Sequence, residues 1–234
     1  MTNEFGNLVY LGRSQEAYVR HVFDRWRRVR GRLAFDISYH SDPRLMYIRN
    51  LLFILNHLYR FRRQNQEQAT AVSIEATLRA MYPKAKVVGD KWPHYLFGMD
   101  KYVQEDNLAR LVIYRDCRDV TSSFLLKART SWKDTDWIRN VDSAKKIAAK
   151  WVRGIEIMEK HADKLIILQY EALMHEPEQE LQRVSKSLGV DPAGFPTDMI
   201  DPGSIGKYQQ GLTAEEVETI IRVAGSTMAR LGYL

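Results

Sequence analysis

Arg115 stands directly after a short apolar run, 111–114, with Ser123 eight residues on and Lys127 one helical turn later. Open α/β sheets bind ligands beyond the C-terminal ends of their strands, and residues four apart on a helix share a face. A guanidinium, a hydroxyl and an ammonium group so placed can hold a phosphate monoester through charge-assisted hydrogen bonds. The same residue types also cap helices and close salt bridges, so the spacing alone leaves both readings open. Upstream, VVGDKWPHYL brings Lys91 to the end of another β-prone stretch, before a proline-marked turn. Near the start, Gly12, Arg13 and Ser14 lie between an apolar run and a helical pattern, a place where backbone N–H groups can receive an anion. Three cationic strand ends on one sheet edge suit a doubly negative, phosphate-bearing ligand.

The elements that must position these groups alternate along the chain. Apolar, β-branched runs at 8–11, 33–37, 86–88, 111–114 and 165–168 read as short strands. Helical periodicity begins near Gln15 and recurs over 43–63, 66–82, 143–161, 177–188 and 214–231. Within 143–161, the stripe Ile147, Trp151, Ile155 and Met158 predicts core packing. Pro177 after Glu176 opens one helix, and Thr213 with Glu216 three residues later predicts a capping box for another. Gly189 and Gly232 stand where helices should stop. Strands alternating with helices predict an α/β fold, a parallel sheet covered on both faces. With no internal repeat or linker, a single domain over 1–234 is expected.

The formal charge of +6 favours anionic partners without naming one. Much of the excess sits in one run, 20–32. Its plain reading is a solvated helix face; its alternatives are nucleic acid or an acidic substrate. No zinc-finger spacing, RNP motif or repeat accompanies it, which argues against nucleic acid. Cys117 is the only cysteine, so no internal disulfide or multi-cysteine metal site can form, and a reducing, cytoplasmic setting is the expectation. The apolar stretches are too short to span a bilayer. The first residues lack the basic start and apolar block of a secretory leader. Oligomeric state is not legible.

Taken in order, GRS, GDKWPHYL, the arginine–serine strand–turn, KWVRGIEIMEKH, LQYEALMHEPEQELQRVSKSLGV, IGKYQQGLT and MARLGY resemble the successive blocks of sulfotransferases that use 3′-phosphoadenosine 5′-phosphosulfate (PAPS). The pattern is most similar to the tyrosylprotein sulfotransferases and their bacterial relatives, and is weakest over 31–84. The resemblance implies a three-layer α/β fold with a P-loop-type central parallel sheet flanked by helices. It implies sulfuryl transfer from PAPS to a hydroxyl or amine on a small molecule, carbohydrate or peptide, without a metal. Arg115 and Ser123 match the pair that binds the 3′-phosphate, and Lys127 a further basic contact. Tyr170 matches a tyrosine at the nucleotide site. Lys207, in GKY, should close over the phosphates, and Lys91 matches the lysine that neutralises charge on the departing 5′-phosphate. Gly12, Arg13 and Ser14 fall in register with the phosphosulfate loop.

The chain also departs from that pattern. Gln15, Glu16 and Ala17 stand where the family has a glycine and hydroxyls, which admit backbone N–H groups and add donors. A degenerate loop on a catalytically weak or inactive nucleotide-binding protein is therefore the alternative to a working enzyme. Cys117 replaces a proline, a milder change. A general base must lie within hydrogen-bond reach of the acceptor hydroxyl. Asp36 and His94 are the rival candidates, with His40 a distant third. The acceptor site is expected from the variable 31–82 region.

Overall fold

The computed structural model describes residues 2–3, 6–29, 34–35, 40–64, 67–130 and 136–234, and helix dominates them. The described strands form two parallel pairs. The chain divides into two compact units, Met1–Leu108 and Ala109–Leu234.

In the first unit β1 (Thr2–Asn3) runs parallel to β2 (Asp90–Lys91), with Asn3 opposite Lys91. The helices are α1 (Gln15–Val29), α2 (Pro43–Arg62), α3 (Ala71–Met81) and the short α4 (Met99–Tyr102). The run 8–11 is not the expected strand but part of a 3-10 turn, Asn7–Tyr10. Gly6 and Gly12, both at φ 76°, bend the chain on either side of it, a conformation open to glycine at little cost. The stretch 86–88 is also not a strand; pairing starts at Asp90, where Thr2 lies opposite. Of 33–37 only Ala34 and Phe35 are described, and neither is in a strand. The helix expected from 66 begins at Ala71, behind a Thr70–Ser73 capping box. The residues before it are engaged elsewhere: Glu67 and Ala69 carbonyls accept from the Gln15 and Gly12 N–H groups, and Ala69 N–H donates to Arg13 O.

A buried polar chain crosses this unit. The Tyr18 hydroxyl donates to Asn7 Oδ1 at 2.6 Å and lies 2.6 Å from His57 Nε2. Asn7 N–H and Tyr95 OH both donate to Asp90 Oδ2, at 2.7 and 2.6 Å. Complete burial disfavours the imidazolium form and lowers the His57 pKa from 6.5 to about 3. In the unfolded chain this ring takes its proton near 6.5, so the unfolded state binds the extra proton throughout the window between those values. Stability present above the unfolded pKa is thus lost as pH falls towards the folded one, by about 1.4 kcal/mol per pH unit. Chemical denaturation across that window should show a slope in His57→Gln shallower by about one proton than in the natural chain. Equal slopes would mean that His57 titrates alike in both states.

In the second unit β3 (Leu111–Tyr114) pairs in parallel with β4 (Ile166–Gln169), from Leu111 opposite Ile166 to Tyr114 opposite Gln169. Parallel neighbours need a long crossover, here α5 (Cys117–Arg129) and α6 (Ala144–Lys160). The chain continues through α7 (Tyr170–His175), α8 (Pro177–Leu188), α9 (Tyr208–Gly211) and α10 (Ala214–Arg230). Cys117, Leu125, Ile147, Ala148, Ile220, Ala224 and Met228 form the core between α5, α6 and α10. Ile147, Ile155 and Met158 of the α6 stripe are buried, as their spacing predicts. The Thr213–Glu216 capping box is formed, and α8 stops at Gly189.

Candidate functional site

In the second unit, the two residues between β3 and α5 are held from several directions. Asp116 caps α5 through the Arg118 N–H, and its own N–H donates to Glu171 Oε1 on α7 at 2.9 Å. Trp151 Nε1, on α6, donates to the Arg115 carbonyl at 2.9 Å. The Arg115 side chain therefore leaves a fixed point at the end of β3. Its guanidinium pairs with Asp119 Oδ2 at 3.0 Å, donates to Ser204 O and lies over the Tyr170 ring, 4.6 Å from its centroid. The Tyr170 hydroxyl meets Ser204 Oγ at 2.6 Å.

Asp119 does more than neutralise Arg115. Its buried carboxylate accepts from the Gly206 N–H at 2.8 Å and from the Tyr208 N–H at 2.9 Å. Lys207 lies between those two residues, so Asp119 ties the turn that carries Lys207 to the first turn of α5. Arg118 braces the other side, salt-bridged to Asp116 at 2.6 Å with its guanidinium 4.5 Å from the Tyr208 ring centroid. Ser123 and Lys127 are exposed on α5, one and two turns beyond Asp119 on the same face. The unit thus brings Arg115, Tyr170 and the Lys207 turn into one contact set, with a hydroxyl and an ammonium group further along its helix. The Arg115 Nε is buried without a hydrogen-bond partner.

In the first unit, Lys91 is exposed at the end of β2. Its backbone is anchored: Lys91 N–H donates to Asp90 Oδ1 at 3.0 Å while Asp90 Oδ2 receives Asn7 and Tyr95. Trp92 packs so closely on Gly6 that a side chain there would collide with the indole ring. His94 is exposed in the 3-10 turn Pro93–Gly98, with Trp92 and Phe97 rings 6.3 and 6.4 Å away. His40 accepts the Asp42 N–H through Nδ1 at 3.1 Å, just before α2, a helix-start contact. Asp36 lies outside the described residues.

The 12–17 loop does not aim its amides at one point. Gly12 and Gln15 N–H groups donate to Ala69 O and Glu67 O, Arg13 N–H to Tyr10 O, and Ala17 N–H to Ser14 Oγ. Glu16 points outward and pairs with Arg20 on the surface at 3.1 Å. Lys101 Nζ donates to Leu11 O at 2.5 Å, and its pKa is lowered by desolvation and then by the charge of Arg13. Cations therefore gather at this turn, while four of its N–H groups are already occupied.

The family model described as "Sulfotransferase family" matches residues 16–193. The chain belongs to the sulfotransferase family. Comparisons with curated proteins and with solved structures found no match. The matched span takes in Asp36, Lys91, His94, Arg115, Ser123, Lys127 and Tyr170; Gly12, Arg13 and Ser14 precede it and Lys207 follows it. Sequence reasoning missed Asp119, Asp90, Tyr95 and Lys101. Only Asp119 left a local signal, its four-residue spacing from Arg115 on the start of a helix.

Because Glu16 is solvated and paired with Arg20, it should matter little to an anion at this turn. Exposed pairs of this kind are worth about 0.2–1 kcal/mol. Glu16→Gln is expected to change affinity for adenosine 3′,5′-bisphosphate by less than about threefold, read by titration calorimetry. A larger gain would show that the carboxylate does face the ligand.

Proposed function

We propose that this sulfotransferase moves a sulfuryl group from PAPS to a hydroxyl or amine acceptor, as a single domain over 1–234 with a three-layer, P-loop-type α/β fold. One observation carries the reading. Arg115 is pinned at the end of β3, stacked on Tyr170 and joined to the Lys207 turn, yet its buried Nε has no acceptor. A phosphate monoester would supply that acceptor, and Ser123 and Lys127 would add a hydroxyl and an ammonium. Tyr170 would border the nucleotide. Lys207, beside the φ 77° Gly206, would swing over its phosphates.

When bound, PAPS supplies the activated sulfuryl group; the chain supplies charge and position. Lys91 would neutralise the departing 5′-phosphate from a backbone held by Asp90. Asp36 or His94 would take the acceptor's proton. Small molecules, carbohydrates and peptides are the acceptor classes that this chemistry admits.

A second reading has its own observation. The Gly12, Arg13, Gln15 and Ala17 N–H groups are already used within the chain, which does not fit a loop that cradles a phosphosulfate. A binding protein without turnover would result. A donor-turnover assay with PAPS and a panel of phenols, sugars and tyrosine peptides separates the two. Formation of adenosine 3′,5′-bisphosphate above the protein-free rate, raised by an acceptor, is the expected result. Tight bisphosphate binding with no turnover would favour the binding protein.

A further inference from the structure

The helix α2 is apolar on two opposite faces. Met46, Ile54, Leu58 and Phe61 are buried on one. On the other, Leu45, Ile48, Leu52, Leu55 and Tyr59 recur every three or four residues and keep 45–61% of their surface exposed. Single exposed apolar residues need no explanation, but a contiguous stripe marks an interaction surface. This one is about 21 Å long at the helical rise. Arginines border it on both sides, Arg44 and Arg62 along one and Arg49 and Arg63 along the other. Residues 43–63 hold five arginines and no Asp or Glu. An open groove of about 520 Å³, lined by Phe23, Leu55, Leu58, Tyr59, Arg62 and Arg63, lies at the C-terminal end of the stripe.

We propose that α2 is a peripheral membrane contact that lays this stripe into the interface of an anionic lipid bilayer. The leucines, the isoleucine and the tyrosine enter the headgroup–acyl boundary, and the flanking guanidinium groups meet lipid phosphates on stems long enough to remain at headgroup level. The charge pattern selects this occupant. A second copy would set the arginine borders of one α2 against those of the other, with no carboxylate on the helix to offset them. A uniformly anionic surface meets both borders at once. The contact lies on the membrane and does not span it: no helix among the described residues is long and apolar enough to cross one.

Vesicle flotation tests this with the full chain, using phosphatidylcholine alone and phosphatidylcholine with about a third phosphatidylserine. The natural chain should float with the anionic vesicles only, and less so at high salt. Leu52→Ser with Leu55→Ser should lower that binding at least about tenfold, with an unchanged melting temperature because both side chains are exposed. Arg44→Gln, Arg49→Gln and Arg62→Gln together should abolish the preference for anionic lipid. Absence of binding to anionic vesicles, or binding unaffected by the paired serines, overturns the proposal. So does a lipid-free dimer, seen by light scattering, that the same serines convert to monomer. Failure to bind vesicles alongside tight binding of an acidic amphipathic peptide would give the face to a protein instead.

Discussion

Replacing Lys91 with alanine is expected to lower sulfuryl-transfer turnover about a hundredfold or more, while shifting affinity for adenosine 3′,5′-bisphosphate by less than about threefold. The asymmetry follows from the proposed role. Charge on the departing 5′-phosphate develops during transfer, so a cation aimed there acts more strongly on the transition state than on the bound nucleotide. The Lys91 side chain is exposed, while its backbone pairs with β1 and is anchored by Asp90, contacts that alanine keeps. Turnover and affinity falling together would make Lys91 a binding residue, and unchanged turnover would leave it structural.

Asp119→Ala should destabilise the second unit by about 3 kcal/mol or more in chemical denaturation. Two backbone donors, Gly206 N–H and Tyr208 N–H, lose their acceptor, at about 1–3 kcal/mol each when buried. The lost ion pair adds to this, because it leaves the mostly buried Arg115 guanidinium without its carboxylate partner. Bisphosphate affinity should fall as well, since the Lys207 turn is no longer tied to α5. Asp119→Asn retains one acceptor oxygen, so it should fall between alanine and the natural chain. A loss below about 1 kcal/mol in the alanine variant would mean that another contact holds the turn.

Local chemistry made parts of this molecule legible. The β-branched run 111–114 is a strand with the predicted bounds, and Pro177 opens α8 where its fixed φ suits a first helical residue. The Thr213–Glu216 box needs only side chains three residues apart. Other elements answer to distant partners. The run 8–11 looks like a strand, but its conformation is settled by Gly6 and Gly12 and by Leu8 N–H donating to Tyr95 OH, 87 residues away. Residues 67–69 have helical composition yet serve as partners of the 12–15 turn.

The candidate site divides in the same way. Arg115 could be found because a strand ends beside it. The carboxylate that ties it to the Lys207 turn could not, because Asp119 meets Gly206 and Tyr208 across 87 and 89 residues. Gln15, Glu16 and Ala17 signal an altered loop by the glycine and hydroxyls they replace. Where the loop N–H groups go was not legible: Glu16 turns to solvent, and the loop amides bond to the segment before α3 and to the loop itself.

Titration calorimetry of adenosine 3′,5′-bisphosphate into the natural chain and into Arg115→Ala tests the central claim most directly. The ligand carries the 3′-phosphate without the sulfuryl group, so it reports the site around Arg115 whether or not the chain turns over. One bisphosphate should bind per natural chain. The variant, if it keeps its melting transition, should bind more weakly by about 2 kcal/mol, close to thirtyfold, the scale of a lost charged hydrogen bond. No binding by the natural chain, or equal affinity in a folded Arg115→Ala, would contradict the assignment.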